Sequence, residues 1–287
     1  NDIFETSKLL STILYADDTN LFYSGNSIDE VTAVMNIELV KFSHWFSANR
    51  LKINISKTNY MIFGPKIKLN ALPLFRIEYG GTSLPRVGFT KFLGVTITES
   101  LSWTDHINAV RRKMSKSVGL LSRFRNRLNH DIICHLYYSL IYPHITYCNL
   151  IWGNSPVSSM RTLSVIQNRF VRMLYGLGRT DNVDNYIKTL NMLTPRQIHC
   201  YSILVFMFKL INNIMHCPVF DNFMLSSNIK NRQTRHTGIF HLPYCRLKIL
   251  STSVYLIGPK LWKILPDDIR CVSSVHIFKI LVKKFIC

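Results

Sequence analysis

Apolar and polar residues are arranged with two different periods along the chain. Near the start, an apolar run, a polar turn and a second apolar run over residues 11–23 predict a β-hairpin. Ser27 and Glu30 then form an S-x-x-E capping box ahead of apolar residues at helical spacing. We therefore expect an amphipathic helix of about five turns, with an apolar stripe formed by Ile28, Val31, Met35, Leu39, Phe42, Trp45 and Phe46.

Extended patterns follow this helix. Alternating apolar residues over 51–55 and an apolar run over 60–63 predict strands, and Gly80–Gly81 predicts a tight turn. Phe92–Ile97 has the pattern of one more short strand. Residues 1–100 are thus expected to form a small α+β unit.

From Trp103 onward the apolar period becomes helical. Apolar residues from Ile107 to Leu128 form one stripe of a long basic helix. Residues 232–253 predict only short strands or loops. Proline and cap signals predict further helices over 131–142, from Ser155-Pro156 to Tyr175, from Thr194-Pro195 to about Asn212, and over 275–285.

Net charge separates these regions. The 287 residues carry 35 Lys+Arg against 16 Asp+Glu, a formal net charge of +19, and 47% are hydrophobic. Residues 1–100 hold 10 basic and 9 acidic side chains, whereas residues 101–287 hold 25 and 7. A chain this apolar folds, and its charge indicates a polyanionic partner, most often nucleic acid, with an anionic membrane surface as the alternative. We expect three regions: 1–100, a basic helical 101–150, and a helical 151–287 with an irregular tail.

Other features exclude several classes of protein. The longest apolar stretch, Ile203–Phe208, is six residues long, whereas a membrane-spanning helix needs about twenty. The first residues lack the pattern of a signal peptide and do not begin with Met, which suggests a fragment. Seven cysteines without a C-x-x-C pair indicate free thiols and no zinc site. These features predict a nuclear or cytoplasmic protein that is not integrated in a membrane.

Asp17 and Asp18 have the clearest candidate chemistry. Adjacent carboxylates at the tip of an apolar hairpin are costly unless a cation neutralises them, and Mg²⁺ prefers carboxylate oxygens. An Asp-rich surface turn is the simpler interpretation on spacing alone. The second acidic pair, Asp267–Asp268, follows Pro266 and is expected only to stabilise the first turn of a helix.

Several motifs occur in a specific order. Tyr15-Ala-Asp-Asp18 lies between apolar strands, Asn49-Arg-Leu-Lys-Ile-Asn54 and Lys57-Thr58 follow the capped helix, and Phe92-Leu-Gly-Val95 comes next. This series resembles the second half of the palm of reverse transcriptases from non-LTR (LINE-type, Jockey and CR1-like) retrotransposons. The resemblance extends over nearly the whole chain, through Leu101-x-Trp103-x-x-His106, Leu136–Tyr147, Ile151-Trp-Gly153 and Gly258-Pro-Lys-Leu-Trp262.

The resemblance implies RNA-directed DNA polymerase chemistry. A primer 3′-hydroxyl would attack the α-phosphate of a dNTP, with Mg²⁺ (or Mn²⁺) as cofactor and an RNA template and a DNA primer or target as partners. Asp17 is implied as a metal ligand, Asp18 as a weaker ligand, and Tyr15 as a neighbour of the primer end or nucleotide.

The resemblance to this family implies roles for two further residues. Lys57 could donate a proton or charge to the leaving pyrophosphate, with a solvated lysine as the equal alternative. Gly94 belongs to a segment resembling the primer grip, where a small residue lets a nucleic-acid strand approach the backbone. A plain buried strand with a bulge is the alternative for that segment.

The resemblance also implies that the metal site is incomplete. Two metals about 3.5–4 Å apart need more oxygen ligands than one hairpin supplies. The family's other metal-binding aspartate precedes the Tyr-Ala-Asp-Asp turn by many tens of residues, but only fourteen residues precede Tyr15 here. We therefore expect no polymerase activity from this chain alone. The alternatives are a non-catalytic nucleic-acid-binding remnant of a mobile element and a group II intron maturase-like protein, which the Gly258–Trp262 motif disfavours.

Basic residues between 111 and 127 are the candidate nucleic-acid contacts. Asp105 is the only acid between Thr104 and His130, so the charge favours phosphate binding over ion pairing along the helix, with a solvated face as the alternative. Most of the downstream aromatic residues are expected in the core, and histidines 135, 144, 199 and 216 are expected to be buried or partly buried structural residues. The expected phosphate contacts of this thumb helix are Arg111, Arg112, Lys113, Lys116, Arg123, Arg125 and Arg127.

Overall fold

The computed structural model describes residues 2–220 and 245–287. The chain forms two compact units, residues 1–102 and residues 103–287. The first unit combines short strands with one long helix, and the regular elements in the described part of the second are all helices. The expected α+β class is confirmed.

Three antiparallel two-stranded sheets form the strands of the first unit. Each is a hairpin closed by a two-residue turn, because the last residue of one strand pairs with the first residue of the next. The strands are β1 Ser11–Tyr15, β2 Asp18–Phe22, β3 Glu78–Tyr79, β4 Thr82–Ser83, β5 Phe89–Phe92 and β6 Val95–Thr98.

Helix α1, Ile28–Ala48, organises the first unit. The Ser27 hydroxyl accepts the Glu30 amide (3.1 Å), as the capping box predicts, while the Glu30 carboxylate accepts the Asn26 amide and the Tyr23 hydroxyl. Phe42 on its inner face packs with apolar residues from the hairpin β1–β2. The second helix of this unit, α2, is short and covers Lys66–Asn70.

The expected strands over 51–55 and 60–63 are not formed, and the third expected strand, 92–97, forms differently. Residues 51–63 contain one isolated bridge, Tyr60 to Arg86, because the Asn54 carbonyl accepts the amides of Lys57 (3.0 Å) and Thr58 (3.1 Å) in a local turn. Phe92–Ile97 is a hairpin rather than one strand, since Leu93 and Gly94 form its turn.

The second unit consists of helices linked by short connections. Four predicted helices match within two residues, although 131–142 is split at Ile141, ahead of Pro143. The basic helix instead ends at Phe124 and does not reach Leu128, and the expected irregular 245–253 contains a helical turn. Expectations for 232–244 lie outside the described residues. The helices are α3 Thr104–Phe124, α4 His130–Leu140, α5 Tyr142–Thr146, α6 Asn149–Trp152, α7 Val157–Tyr175, α8 Asp184–Thr189, α9 Pro195–Ile211, α10 Lys248–Ser251, α11 Val254–Ile264, α12 Asp267–Arg270 and α13 Val275–Ile286.

One continuous core joins α3 to α9 in this unit. The inner face of α3, from Ile107 to Leu121, packs against α7, and the buried Trp152 and Phe170 belong to the same cluster. A second cluster packs α9 against α11 and α13 around Phe208. The predicted division at residue 150 falls within this unit. Among the described residues, none of the helices is long and apolar enough to cross a membrane.

Candidate active-site hairpin and basic helix

The hairpin β1–β2 places two carboxylates at its tip. Tyr15 pairs with Asp18, so Ala16 and Asp17 are the two turn residues. Ala16 has φ of 51°, in the left-handed region that favours glycine. Asp17 and Asp18 are both exposed. The predicted hairpin and its polar tip are therefore present as the sequence pattern indicates.

The two faces of this hairpin differ in their surroundings. Leu14 and Leu21 face inward and pack with Phe42 of α1. The opposite face carries Tyr15 and Asp18 side by side, because directly paired residues point to the same side of a sheet. Tyr15 is 60% exposed, and Ile13 and Phe22 are also exposed. An aromatic ring beside a carboxylate thus lies open to a ligand on this face.

The donors at the tip fit a divalent cation in kind but not in number. Carboxylate oxygens are the ligands that Mg²⁺ prefers. However, the described residues contain no group of three His, Cys, Asp or Glu side chains able to hold a metal. Asp17 and Asp18 would therefore supply part of a coordination shell that needs oxygens from elsewhere.

Lys57 lies in the turn that follows α1. Its amide donates to the Asn54 carbonyl (3.0 Å), and its side chain is exposed. Ile55 in this turn contacts the same apolar cluster as Leu21 of the hairpin β1–β2. The turn and the hairpin therefore rest on one core, but Lys57 is a turn residue rather than the end of a strand.

Gly94 occupies the tip of the third hairpin, β5–β6. Both turn residues have positive φ, 46° at Leu93 and 79° at Gly94. A glycine adopts this conformation freely, whereas a leucine is strained. The hairpin β3–β4 has glycines at both equivalent positions, Gly80 and Gly81. The segment thus combines a turn geometry at Leu93–Gly94 with a mostly buried strand from Val95 to Thr98.

Helix α3 is amphipathic, with charge confined to its outer side. Its buried residues recur every three or four positions, while the basic residues between them are exposed. None of the seven basic residues forms an ion pair with any described residue. Since α3 ends at Phe124, its own basic side chains are Arg111, Arg112, Lys113, Lys116 and Arg123.

Arg125 and Arg127 follow the helix rather than extending it. The guanidinium of Arg125 packs over Gly176, the left-handed residue that ends α7, where an added Cβ would lie 2.5 Å from Nη2. A cation near the carboxyl end of a helix interacts favourably with the helix dipole. Arg125 therefore has a contact that the charge pattern did not reveal. Both Arg125 and Arg127 are exposed, and Arg127 lies in the turn before α4.

Motif residues of the second unit are mostly packing residues. Gly153 leaves no space for a side chain, because a Cβ there would lie 2.3 Å from His199 Nδ1 and 2.6 Å from the Asn149 carbonyl oxygen. At Gly258 a Cβ would lie 2.6 Å from Met207 Sδ, where α11 meets α9. His199 and Met207 lie roughly fifty positions from their glycines along the chain, so no local sequence signal indicates these two partners.

His199 is a buried structural histidine, as expected. Its Nδ1 lies 3.0 Å from Asn149 Oδ1 and 3.1 Å from the Asn149 carbonyl, so Nδ1 carries the proton and donates. Burial lowers its pKa to about 4. His144 is partly buried, whereas the expectation is wrong for His135 and His216, which are exposed.

The second acidic pair behaves as predicted. Asp267 and Asp268 lie in the first turn of the short helix α12, and Asp267 pairs with Arg270 one turn later. This pair is therefore part of a helix start. The seven free cysteines form no disulfide.

Sequence comparison finds relatives among mobile-element polymerases of Drosophila melanogaster. The chain is 28% identical over 202 residues to the "Probable RNA-directed DNA polymerase from transposon BS", covering 68% of this chain and 22% of that protein. It is 26% identical over 166 residues to the "Probable RNA-directed DNA polymerase from transposon X-element", covering 56% of this chain and 18% of that protein. It is 23% identical over 193 residues to the RNA-directed DNA polymerase from mobile element jockey, covering 65% of this chain and 20% of that protein.

These relatives confirm the predicted resemblance to reverse transcriptases of non-LTR retrotransposons. The chain spans about a fifth of the length of each of the three. No protein-family model and no solved structure matches it.

Proposed function

We propose that this chain is part of an RNA-directed DNA polymerase of a non-LTR retrotransposon, in which it supplies carboxylates for the metal site and a basic helix for the template–primer. The exposure of polar side chains at the tip of the hairpin β1–β2 is the observation that most directly supports this proposal. There Tyr15, Asp17 and Asp18 are exposed around a two-residue turn, although the other face of the same hairpin is packed. Exposed carboxylates beside an exposed ring have no packing role.

Asp17 and Asp18 would hold Mg²⁺ or Mn²⁺ together with oxygens from outside this chain. The metal would activate the primer 3′-hydroxyl and stabilise the leaving pyrophosphate of the dNTP. In this arrangement Tyr15 positions the primer end or the nucleotide from the same sheet face as Asp18. Lys57 and the tip at Gly94 are the proposed contacts to pyrophosphate and to the primer strand.

The outer side of α3 would bind nucleic-acid phosphates. Arg112, Lys116 and Arg123 lie along one line of this helix, at axial separations of about 6 and 10 Å. Their guanidinium and ammonium groups are free of ion pairs among the described residues, so no acid needs to be displaced. The template–primer duplex is the proposed partner.

Two experiments test this function. With five phosphates neutralised by α3, the logarithm of duplex affinity should fall with the logarithm of salt concentration at a slope of roughly −4 to −5. Changing Arg112, Lys116 and Arg123 to Gln together should reduce the slope by about 3. Salt-insensitive binding, or no binding at low salt, would contradict the role of α3.

The second experiment measures primer extension. The purified chain should not extend a primer on an RNA template with Mg²⁺, because its described residues bring together too few metal ligands. Extension that Asp17→Ala abolishes would contradict this expectation, because it would show that this chain alone assembles a working metal site. Duplex binding without extension in any larger context would favour the alternative, a non-catalytic nucleic-acid-binding remnant.

A further inference from the structure

Three rings form a ladder at the end of the second unit where α3 finishes. His130 and Tyr175 have ring centroids 4.9 Å apart in an edge-on arrangement. Tyr175 and Tyr186 follow at 4.4 Å. His130 is exposed, and both tyrosines are partly exposed. This ladder differs from the core ring pair Tyr137–Phe170, in which both residues are buried.

Buried neighbours hold each ring of the ladder in place. Leu174 precedes Tyr175 and is buried in the main core of the unit, as are Ile187 after Tyr186 and Ile133 three residues after His130. Each ring is therefore attached to a packed helix, which limits the entropy lost when a ligand stacks on it.

The loop between α7 and α8 is also fixed. The Arg172 guanidinium donates twice to the Asp181 carbonyl (3.0 and 2.8 Å), and the Asp181 carboxylate accepts the Gly178 amide (2.7 Å). These bonds connect the helix that carries Tyr175 to the segment that leads to Tyr186. The separation of the two rings is therefore set before any ligand arrives.

The ladder adjoins the basic residues at the end of α3 and just beyond it. Arg125 packs over Gly176, the residue that follows Tyr175, and Arg123 and Arg127 flank Arg125 in the sequence. Burial raises the pKa of the Cys134 thiol, and the nearby carboxylate of Asp131, the residue that follows His130, raises it further. A carboxylate beside the rings repels phosphate but not a neutral base. The charges therefore favour phosphates along α3 and bases at the ladder.

We propose that the His130–Tyr175–Tyr186 ladder binds unpaired bases of a nucleic-acid strand whose phosphates lie along α3. Aromatic rings accept any base by stacking, and neighbouring arginines track the backbone. This inference rests on the proposed function of α3 and adds a substrate class to it: a duplex with a single-stranded extension. Tyr175 and Tyr186 are partly buried and also pack against the main core of the unit.

Binding of two DNA probes to the 287-residue chain tests this proposal. One probe is a blunt duplex, and the other is the same duplex with a short overhang whose first unpaired base is 2-aminopurine. The wild-type chain should bind the overhang probe more tightly and quench the 2-aminopurine fluorescence on binding. Tyr186→Leu should weaken overhang binding about tenfold and remove the quenching, without changing blunt-duplex affinity.

Two variants serve as controls. Tyr186→Phe keeps the ring and should retain both quenching and affinity, whereas Tyr147→Leu removes an exposed tyrosine outside the ladder and should change neither. Circular dichroism confirms that each variant is folded. If Tyr186→Leu remains folded and still quenches the 2-aminopurine fluorescence like wild type, the ladder is not a base site. The same conclusion follows if Tyr186→Leu weakens the binding of both probes equally.

The outcomes also separate this proposal from that for α3. Salt-dependent binding of the blunt duplex with no preference for the overhang would overturn the ladder alone. Absence of salt-dependent binding to both probes would overturn the role of α3, and with it the ladder that depends on it.

Discussion

The two units carry motifs that resemble those of one polymerase family, but the surroundings of these motifs are opposite. In the first unit, Tyr15 and Asp18 lie on an exposed face of a small hairpin. In the second unit, Gly153 and Gly258 are enclosed by His199 and Met207, with no room for a side chain. The first unit is also nearly neutral, whereas the second carries most of the net positive charge.

This difference separates residues that serve chemistry from residues that serve packing. A residue that contacts only solvent gains nothing from its identity unless a ligand uses it. A glycine enclosed by neighbouring helices is needed for its size alone. The hairpin motif is therefore available to a ligand, and the glycines of the second-unit motifs show how the helices that carry the positive charge pack together.

The largest expected effect is on the acid stability of the second unit. His199 has a pKa of about 4 when folded, below its ordinary value of 6.5, because burial disfavours the charged form. Only the unfolded chain takes up this proton between these two pH values, so stability is full above about pH 6.5 and falls as pH decreases toward 4. The loss is about 3 kcal/mol.

Urea unfolding across this pH range measures that loss. His106 and His144 also have pKa values lowered by burial, so they add to the slope in the same direction. His199→Gln isolates one contribution and should flatten the pH dependence. If His199→Gln and wild type lose stability equally between pH 7 and 4, the buried neutral histidine is not the cause.

Next in size is the cost of a methyl group at Gly153. Gly153→Ala should lower the free energy of unfolding by about 2 kcal/mol, because the new Cβ meets His199 and a backbone oxygen that cannot move away easily. Gly119→Ala is the matched control in α3, where a Cβ meets nothing within 4 Å. It should stabilise the chain by about 0.5–1 kcal/mol. Equal effects at both sites would contradict the packing role.

A smaller effect is expected at the exposed hairpin tip. Ala16→Gly removes strain at φ of 51° and should stabilise the first unit by up to about 1 kcal/mol. Asp17→Asn and Asp18→Asn should leave stability within about 0.5 kcal/mol of wild type, since neither side chain is packed. Thermal unfolding checks both expectations. A large loss of stability at Asp17 would mean that the pair has a structural role.

The smallest effect separates two arginines that look alike in the sequence. Arg112→Gln should reduce the salt slope of duplex binding by about 0.9, whereas Arg125→Gln should change the slope little, because Arg125 packs over Gly176. Arg125→Gln should instead lower the unfolding midpoint. Equal changes in the salt slope for Arg112→Gln and Arg125→Gln would indicate that both residues contact phosphates.

Local signals explain what the sequence predicted well. Helices α1 and α9 begin where Ser27 and Thr194 cap them, and Pro195 fits the first helical position. The hairpin β1–β2 follows from two apolar runs and a polar turn. Such features depend on neighbouring residues and are readable without the fold.

The expectations that failed depend on contacts between distant parts of the chain or on strained turns. A leucine at φ of 46° is not a turn signal, so the tip at Leu93 was missed. The contact of Arg125 with Gly176 and that of His199 with Asn149 each join residues about fifty positions apart. Charge and apolar period contain no information about such partners.

We propose that Asp17 serves metal-dependent polymerisation and not folding. Replacing the matching segment of a full-length relative with this chain gives a protein in which that claim can be measured as Mg²⁺-dependent primer extension on an RNA template. We predict that the chimera extends the primer and that Asp17→Asn reduces the rate at least about a hundredfold with an unchanged unfolding midpoint. Extension by the Asp17→Asn chimera at the rate of its parent would contradict the account.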